Sequence, residues 1–486
     1  MSALFVTYWP HFVALASLLL AAIAAAHAAM TKDEVRAAIG WVGVILLSPF
    51  VGAAVYAIAG INRIRRGSIA AGRSAAGHQT VAHPRFDVTG DRVASLFGQQ
   101  FAALKRLGDR LTHHTLTTAS AAVMLESGDE AYAAMIAAIE EAQRSVILET
   151  YIFDRDPIGL RIADALIEAA ARGVSVRVLI DAVGARYSVP SIVRYLRQGG
   201  IVTDVFNGSI IMGLRLPYAN LRTHRKILVV DGTLAFVGGM NIRQGFTVEF
   251  AGTGRACDTH FQIVGPVVAD IFSIAAEDWH FASGERLAGD AWRATPETAG
   301  EPDAPMLMRA LPSGPDDSLE ANHKMLMGAF SIARHSIRVM SPYFLPDREL
   351  ISALTTAARR GVEIDIVVPS ANNLVLVDRA MRAQFNQVLR SYCRIWRAQG
   401  PFDHSKLLAV DSTWAFIGSS NLDPRSLRLN FEIDIEILDA DFAKRIETRI
   451  NAAIGTAREV TLPELRRRPF LSRLIDRVLW LGSPYL

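Results

Sequence analysis

The chain has 486 residues, with 51 Lys plus Arg against 48 Asp plus Glu and a net charge of +3. That length allows several domains and a sizeable core, while the near-neutral balance excludes the broad basic field of many nucleic-acid binders. Two cysteines, Cys257 and Cys393, lack CxxC or Cys/His metal spacing, which excludes a disulfide-stapled fold.

Hydrophobic residues make up 51% of the chain, and much of the excess lies at its start. Met1 to Thr31 contains no Asp, Glu, Lys or Arg, and Tyr8 to Met30 supplies the roughly 20 apolar residues a spanning helix needs. A second apolar run from about Ala37 to Ile61 is interrupted only by Ser48, Pro49 and glycines, so a two-helix transmembrane hairpin is expected over residues 1–62. A cleaved signal peptide fits less well, because no Lys or Arg precedes the first apolar run. Arg63, Arg65, Arg66 and Arg73 follow the second run, against Lys32 and Arg36 in the connector. The positive-inside rule then makes this an inner-membrane, multi-pass protein with its remainder on the cytoplasmic side.

Residues 63–118 read as a juxtamembrane linker with an amphipathic helix near Val93–Leu111. From there the chain alternates between helix and strand periods. Glu130–Ala142 is expected as helix, Ser145–Phe153 as strand, Gly159–Arg172 as helix and Val174–Asp181 as strand. The same order recurs as His323–Ala333, Ser336–Phe344, Glu349–Arg360 and Val362–Pro369. AIEEAQRSVILETYIF matches AFSIARHSIRVMSPYF, and ALIEAAARGVSVRVLID matches ALTTAARRGVEIDIVVP. The chain therefore contains an internal repeat. The expected fold is α/β, with two pseudo-symmetric lobes of mixed sheet flanked by helices, at 119–290 and 306–458. Ser283–Pro305, rich in Ala, Gly, Glu and Pro, reads as the linker between them. Equivalent strand ends would then meet at one shared interface.

Each repeat carries one more matched segment. HRKILVVDGTLAFVGGMN presents His224, Lys226 and Asp231; HSKLLAVDSTWAFIGSSN presents His404, Lys406 and Asp411, 180 positions later. Only six of the 51 basic residues are lysines, and two of those six fall at matched places. Coincidence is therefore a poor explanation. KILVVD and KLLAVD are strand-like, so His and Lys, two apart, share a face.

This set suits phosphodiester displacement. One imidazole attacks phosphorus, and the other acts as general acid and then base. The lysines complement charge on the phosphoryl oxygens. Asn241, Ser419, Ser420 and Asn421 add neutral donors beside glycine-rich turns. HExxH, paired CxxC and DxDxDG motifs are absent, so neither metal nor cofactor is expected.

These motifs, with GGMN and GSSNLDPRSLRLNFE behind them, resemble the phospholipase D superfamily, and within it the bacterial cardiolipin synthases over nearly the whole chain. The resemblance implies metal-free transfer of a phosphatidyl group between two phosphatidylglycerol molecules, giving cardiolipin and glycerol. Hydrolysis or alcohol exchange on other phospholipids is the alternative. It also implies partners that are lipids and a bilayer, with no nucleic acid. His224 is expected as nucleophile and His404 as acid/base, with Lys226 and Lys406 on phosphate. Asp231 and Asp411 are expected to anchor the far ends of the strands. Glu432 is expected behind His404, and Asp258 or Glu249 behind His224. Thr223, Cys257 and Asp403 depart from residues common in the family.

The end of the chain, residues 459–486, is basic and amphipathic. Arg466, Arg467, Arg468, Arg473 and Arg477 alternate with Phe470, Leu471, Leu474, Val478, Leu479 and Trp480. That pattern suits either an interfacial helix on anionic lipid or a helix packed on the lobes.

Overall fold

The structure is a computed structural model that describes residues 2–32, 34–60, 85–207, 221–294 and 306–483. Two compact units result, an N-terminal helical one and an α/β body.

In the N-terminal unit the helix Ser2–Thr31 is followed by Val35–Leu47, Pro49–Val55 and a π-turn at Tyr56–Gly60. The second apolar run is thus not one continuous span. Pro49 has no amide hydrogen and its ring blocks the preceding turn, so the helix stops at Ser48 and restarts. Ala21, Ala28, Ile45 and Tyr56 pack together, and Tyr56 Oη lies 2.7 Å from His27 Nδ1. By length and composition, one described helix, Tyr8–Thr31, can cross a membrane. The arginines that set the expected orientation, Arg63 to Arg73, lie outside the described residues.

The α/β body contains two lobes built to one plan. The first carries β1 (Ala121–Leu125), β2 (Ser145–Thr150), β3 (Ser175–Asp181), β4 (Val202–Phe206), β5 (Arg222–Thr223), β6 (Ile227–Val230), β7 (Leu234–Gly238) and β8 (His260–Val264). The second carries β9 (Leu307–Ser313), β10 (Ser336–Met340), β11 (Glu363–Pro369), β12 (Arg394–Ala398), β13 (Leu407–Val410), β14 (Trp414–Gly418), β15 (Asn430–Leu438) and β16 (Arg458–Glu459).

The first sheet runs β1-β8-β7-β6-β2-β3-β4. The second runs β9-β15-β14-β13-β10-β11-β12, with β16 beyond β12. Position for position the orders match, as the repeat predicts. In each sheet the last three matched strands pair in parallel and the others antiparallel, except that β5 of the first lobe joins the second sheet in parallel with β15.

Crossover helices cover the parallel halves, and acceptor side chains start them. Asp156 accepts from Gly159 N ahead of Pro157–Ala171, and Asp347 accepts from Leu350 N ahead of Arg348–Arg359. Their apolar stripes reach the cores through Ile162, Leu166, Leu350 and Leu354, each buried side chain contributing roughly 1.5–3 kcal/mol.

Two expected segments differ. The amphipathic helix near Val93–Leu111 is two helices, Gly90–Phe97 and Gln99–Leu111, separated by Gly98 at φ +98°. Phe101 and Leu104 belong to the second lobe's core with Met325 and Leu326, so this face is occupied by protein. The expected linker 283–305 begins as packed structure. Glu285 forms a two-pronged ion pair with Arg177 at 2.6 and 2.8 Å, and Trp292 stacks on Phe272 with centroids 6.1 Å apart. Residues 295–305 lie outside the described residues.

Candidate active site

The motif strands are pinned at their far ends. Asp231 and Asp411 leave β6 and β13 at φ 52° and 53°, a region Asp tolerates. Asp231 accepts backbone N–H bonds from Gln143, Arg144 and Ser145, and Asp411 from Arg334, His335 and Ser336. These acids anchor strand ends and do not line the cavity that receives the histidines.

At the near ends, each lobe holds the other's histidine. β5 pairs in parallel with the start of β15, Thr223 opposite Phe431, and His224 N donates to Phe431 O at 2.8 Å. In the symmetric position Cys257 bridges Asp403, and His404 N donates to Cys257 O at 2.7 Å. The next residue after each bridge is a buried acid. Glu432 Oε2 lies 3.0 Å from His224 Nδ1, and Asp258 Oδ2 lies 2.8 Å from His404 Nδ1.

The expected carboxylate pairing is therefore reversed: Glu432 backs His224, and Asp258 backs His404. The parallel bridges between the lobes carry each acid to the opposite lobe's histidine. Glu249 backs neither; it sits on the surface in a two-pronged ion pair with Arg161 at 2.7 and 2.8 Å.

The carboxylates fix the tautomer, with Nδ1–H donating to the acid and Nε2 left toward the cavity. Burial holds His224 below its usual range, with Lys226 adding to the effect against the pull of Glu432. Burial and then Lys406 push His404 down to about 4. Burial also lowers Lys226 to about 7 and Lys406 to about 8, despite Glu432 and Asp258. For both acids burial is outweighed: Lys406 and His404 hold Asp258 low, and His224 and Lys226 hold Glu432 low. At neutral pH His404 is thus uncharged and Lys226 only partly charged, while Lys406 stays mostly protonated, and a phosphodiester anion beside them would raise all three values.

His224 and His404 open into one cavity of about 880 Å³ between the lobes. Asn241 and Asn421 line it too. Asn241 Oδ1 accepts from Ile152 N, and Asn421 Oδ1 is buried with no hydrogen-bond partner among the described residues. Ser419 and Ser420 do not line it. Ser419 Oγ donates to Glu432 at 2.6 Å and Ser420 Oγ to Asp434 at 2.5 Å, so these serines serve the acids behind the site.

The sequence reading missed Tyr151 and Tyr343. Their rings lie 5.1 Å from His224 and 6.0 Å from His404, and Lys226 Nζ is 5.5 Å from the Tyr151 ring. A signal existed, since both tyrosines occupy the same place in ETYIF and SPYF. Arg222, Arg243 and Arg425 also line the cavity and had no repeat signature. One His/Asp/Glu group among the described residues has spacing for a cation: His323, Asp347 and Glu349. It lies outside the cavity lining, and Arg428 Nη2 already stands 3.2 Å from Asp347.

The chain matches the family model described as "Cardiolipin synthase, PLD-like domain" over residues 135–249 and 326–454. A second model, "Phospholipase_D-nuclease N-terminal", matches residues 19–60. The cardiolipin synthase of Alkalihalophilus pseudofirmus is 32% identical over 452 residues, covering 92% of this chain and 88% of that protein. Cardiolipin synthase A of Pseudomonas putida is 32% identical over 474 residues, 96% of each. The crystal structure of phosphatidylserine synthase from Haemophilus influenzae superposes with a TM-score of 0.59. It covers 79% of this chain and all of that one at 15% identity, a likeness of fold alone.

Proposed function

The chain belongs to the cardiolipin synthase family of phospholipase D-like proteins, and we propose that it joins two phosphatidylglycerol molecules into cardiolipin and glycerol through a phosphatidyl-histidine. The observation that carries this mechanism is the crossed geometry, in which two buried histidines from matched repeats face one cavity, each held at Nδ1 by a carboxylate of the other lobe.

His224 is the nucleophile in this reading. Lys406 Nζ crowds the His404 ring, 2.8 Å from Nδ1 and 3.1 Å from Nε2, whereas among the described residues the His224 ring is hydrogen-bonded to Glu432 alone. The His224 lone pair attacks phosphorus, and the bond to the glycerol oxygen breaks as protonated His404 donates to it. The terminal hydroxyl of a second phosphatidylglycerol then gives its proton back to His404 and attacks phosphorus. The bond to His224 breaks and the enzyme is restored. Lys226 and Lys406 draw charge to the phosphoryl oxygens, and the bound anion raises the low pKa values of the lysines and of His404.

The bilayer is the second element of the proposal. Helix Tyr8–Thr31 anchors the chain, and the broken run Val35–Ile58 completes a hairpin that leaves the catalytic body on the cytoplasmic side of the inner membrane. The helix Phe470–Leu481 turns Asp476 inward, 2.7 Å from Arg468, and leaves Phe470, Leu471, Leu474, Val478 and Leu481 exposed. It packs on the helix Val375–Leu389, whose start exposes Leu374, Val375 and Leu376. Leu374 and Ser483 also line the cavity, so these apolar residues adjoin it, and Arg466, Arg467, Arg473 and Arg477 are exposed on the same C-terminal segment. An anionic bilayer matches that combination.

The test is to incubate the purified chain in detergent with labelled phosphatidylglycerol and chelator, then resolve the lipids. Cardiolipin and free glycerol are expected. Phosphatidic acid alone refutes transfer in favour of hydrolysis, and loss of turnover with chelator refutes the metal-free route.

A further inference from the structure

The motif lysines serve the phosphoryl group that reacts, yet both substrates of the proposed reaction are anions. The acceptor carries its own phosphodiester, a glycerol spacer away from the hydroxyl that attacks. That second charge needs a partner inside the same cavity.

The carboxylates lining the cavity already have donors. Asp154 pairs with Arg243 at 2.9 Å and accepts from Ser188 Oγ at 3.0 Å. Asp156 accepts from Gly159 N and Gln244 N, and Asp423 accepts from Arg425 N and Ser426 N. Two cations remain uncommitted or weakly committed. Among the described residues the Arg425 guanidinium has no hydrogen bond or ion pair. Arg222 Nη1 donates to its neighbour's carbonyl at 2.6 Å, and Nε stands 3.9 Å from Asp181, too far for a hydrogen bond. The two come from opposite lobes, Arg222 from β5 just before His224 and Arg425 from the short helix Pro424–Arg428 that follows Asn421. Both act electrostatically on the Tyr151 phenol, whose ring lies against His224.

We propose that Arg222 and Arg425 form an anion subsite for the phosphodiester of the accepting phosphatidylglycerol, separate from the lysines that hold the reacting phosphoryl group. The inference rests on the transfer reading above. Guanidinium groups suit it, because their planar donors bind two phosphate oxygens at once and stay charged at any working pH. An acceptor held by its own phosphate presents its terminal hydroxyl to the intermediate ahead of water. The same pair gives no such advantage to a neutral alcohol.

The test compares two reactions of one full-length enzyme in detergent micelles. The first is cardiolipin formation from phosphatidylglycerol. The second is exchange of labelled glycerol into phosphatidylglycerol, which uses the same donor and intermediate but a neutral acceptor. Arg425→Gln is expected to lower cardiolipin formation about tenfold more than glycerol exchange, with phosphatidic acid rising as water competes. Arg425→Lys should recover part of that loss, and Arg222→Gln should shift the ratio the same way. Equal losses in both reactions, or no change in the ratio for either residue, would overturn the subsite. A wild-type enzyme that exchanges glycerol yet forms no cardiolipin instead refutes the transfer reading itself, a pattern distinct from both.

Discussion

Glu432 of the second lobe holds Nδ1 of His224 in the first, at 3.0 Å, while Asp258 of the first lobe holds His404 of the second at 2.8 Å. Neither lobe contains a complete histidine–carboxylate pair, because the acid beside each ring belongs to the other. This makes the two lobes one site, and it separates the effects of mutations that look equivalent in sequence.

Glu432→Gln is expected to lower phosphatidyl transfer on the order of a hundredfold, by loosening His224 and weakening its nucleophilicity. In rapid-quench kinetics the loss should fall on formation of the intermediate. Asp258→Asn should slow formation of the intermediate too, because glycerol leaves in that step, and should in addition slow its breakdown by the acceptor. A Glu432→Gln enzyme that forms the intermediate at the wild-type rate would contradict the assignment.

The covalent intermediate should be trapped on His224. Asp258→Asn enzyme, mixed with phosphatidylglycerol labelled in its phosphate and quenched in alkali, is expected to carry label on the peptide containing His224. Label on the peptide containing His404 would exchange the two roles. His224→Ala and His404→Ala should each abolish turnover, and activity surviving in either variant would refute the shared site.

Lysine protonation predicts an alkaline limb. Only protonated lysines complement phosphate, and burial lowers Lys226 to about 7 and Lys406 to about 8 in the free enzyme. As pH rises through 7 to 8 these protons are lost, so kcat/KM should fall on the alkaline side. The fall in kcat should come at higher pH, because the bound anion favours the charged lysines. Lys226→Arg keeps its charge and should lose the lower part of that limb. A kcat/KM profile flat between pH 6.5 and 9 would contradict the argument.

Gly239 has no room for a side chain. A Cβ there would sit 2.6 Å from Asp258 Oδ1 and 3.0 Å from Lys406 Cδ, both buried. Gly239→Ala is expected to displace Asp258 and lower activity at least about tenfold, with His404 losing its orienting acid. Wild-type turnover from that variant would show that the acid's position is not critical.

The C-terminal helix should meet the bilayer. An environment-sensitive probe on Val478→Cys, in the full chain reconstituted in nanodiscs, is expected to shift to the blue with phosphatidylglycerol present and less in neutral lipid. Arg473→Gln with Arg477→Gln should reduce the difference. A probe that reports water in both lipids would refute the contact.

The sequence by itself determined the α/β class, the internal repeat and both His/Lys pairs. Strand and helix periods, duplicated in register, leave little freedom in where local elements form. The crossover strands and helices accordingly fall within a few residues of their expected ranges. The family resemblance also implied that Asp231 and Asp411 anchor the strand ends, away from the histidines. The carboxylate partners were decided only by tertiary structure. Thr223 pairs with Phe431, 208 positions away, and Cys257 with Asp403, 146 away, and no local pattern specifies which lobe's acid lies behind which ring. Arg222 and Arg425 were hidden for the same reason. Their shared cavity exists only where the lobes meet, whereas periodicity reports a residue's neighbours along one element.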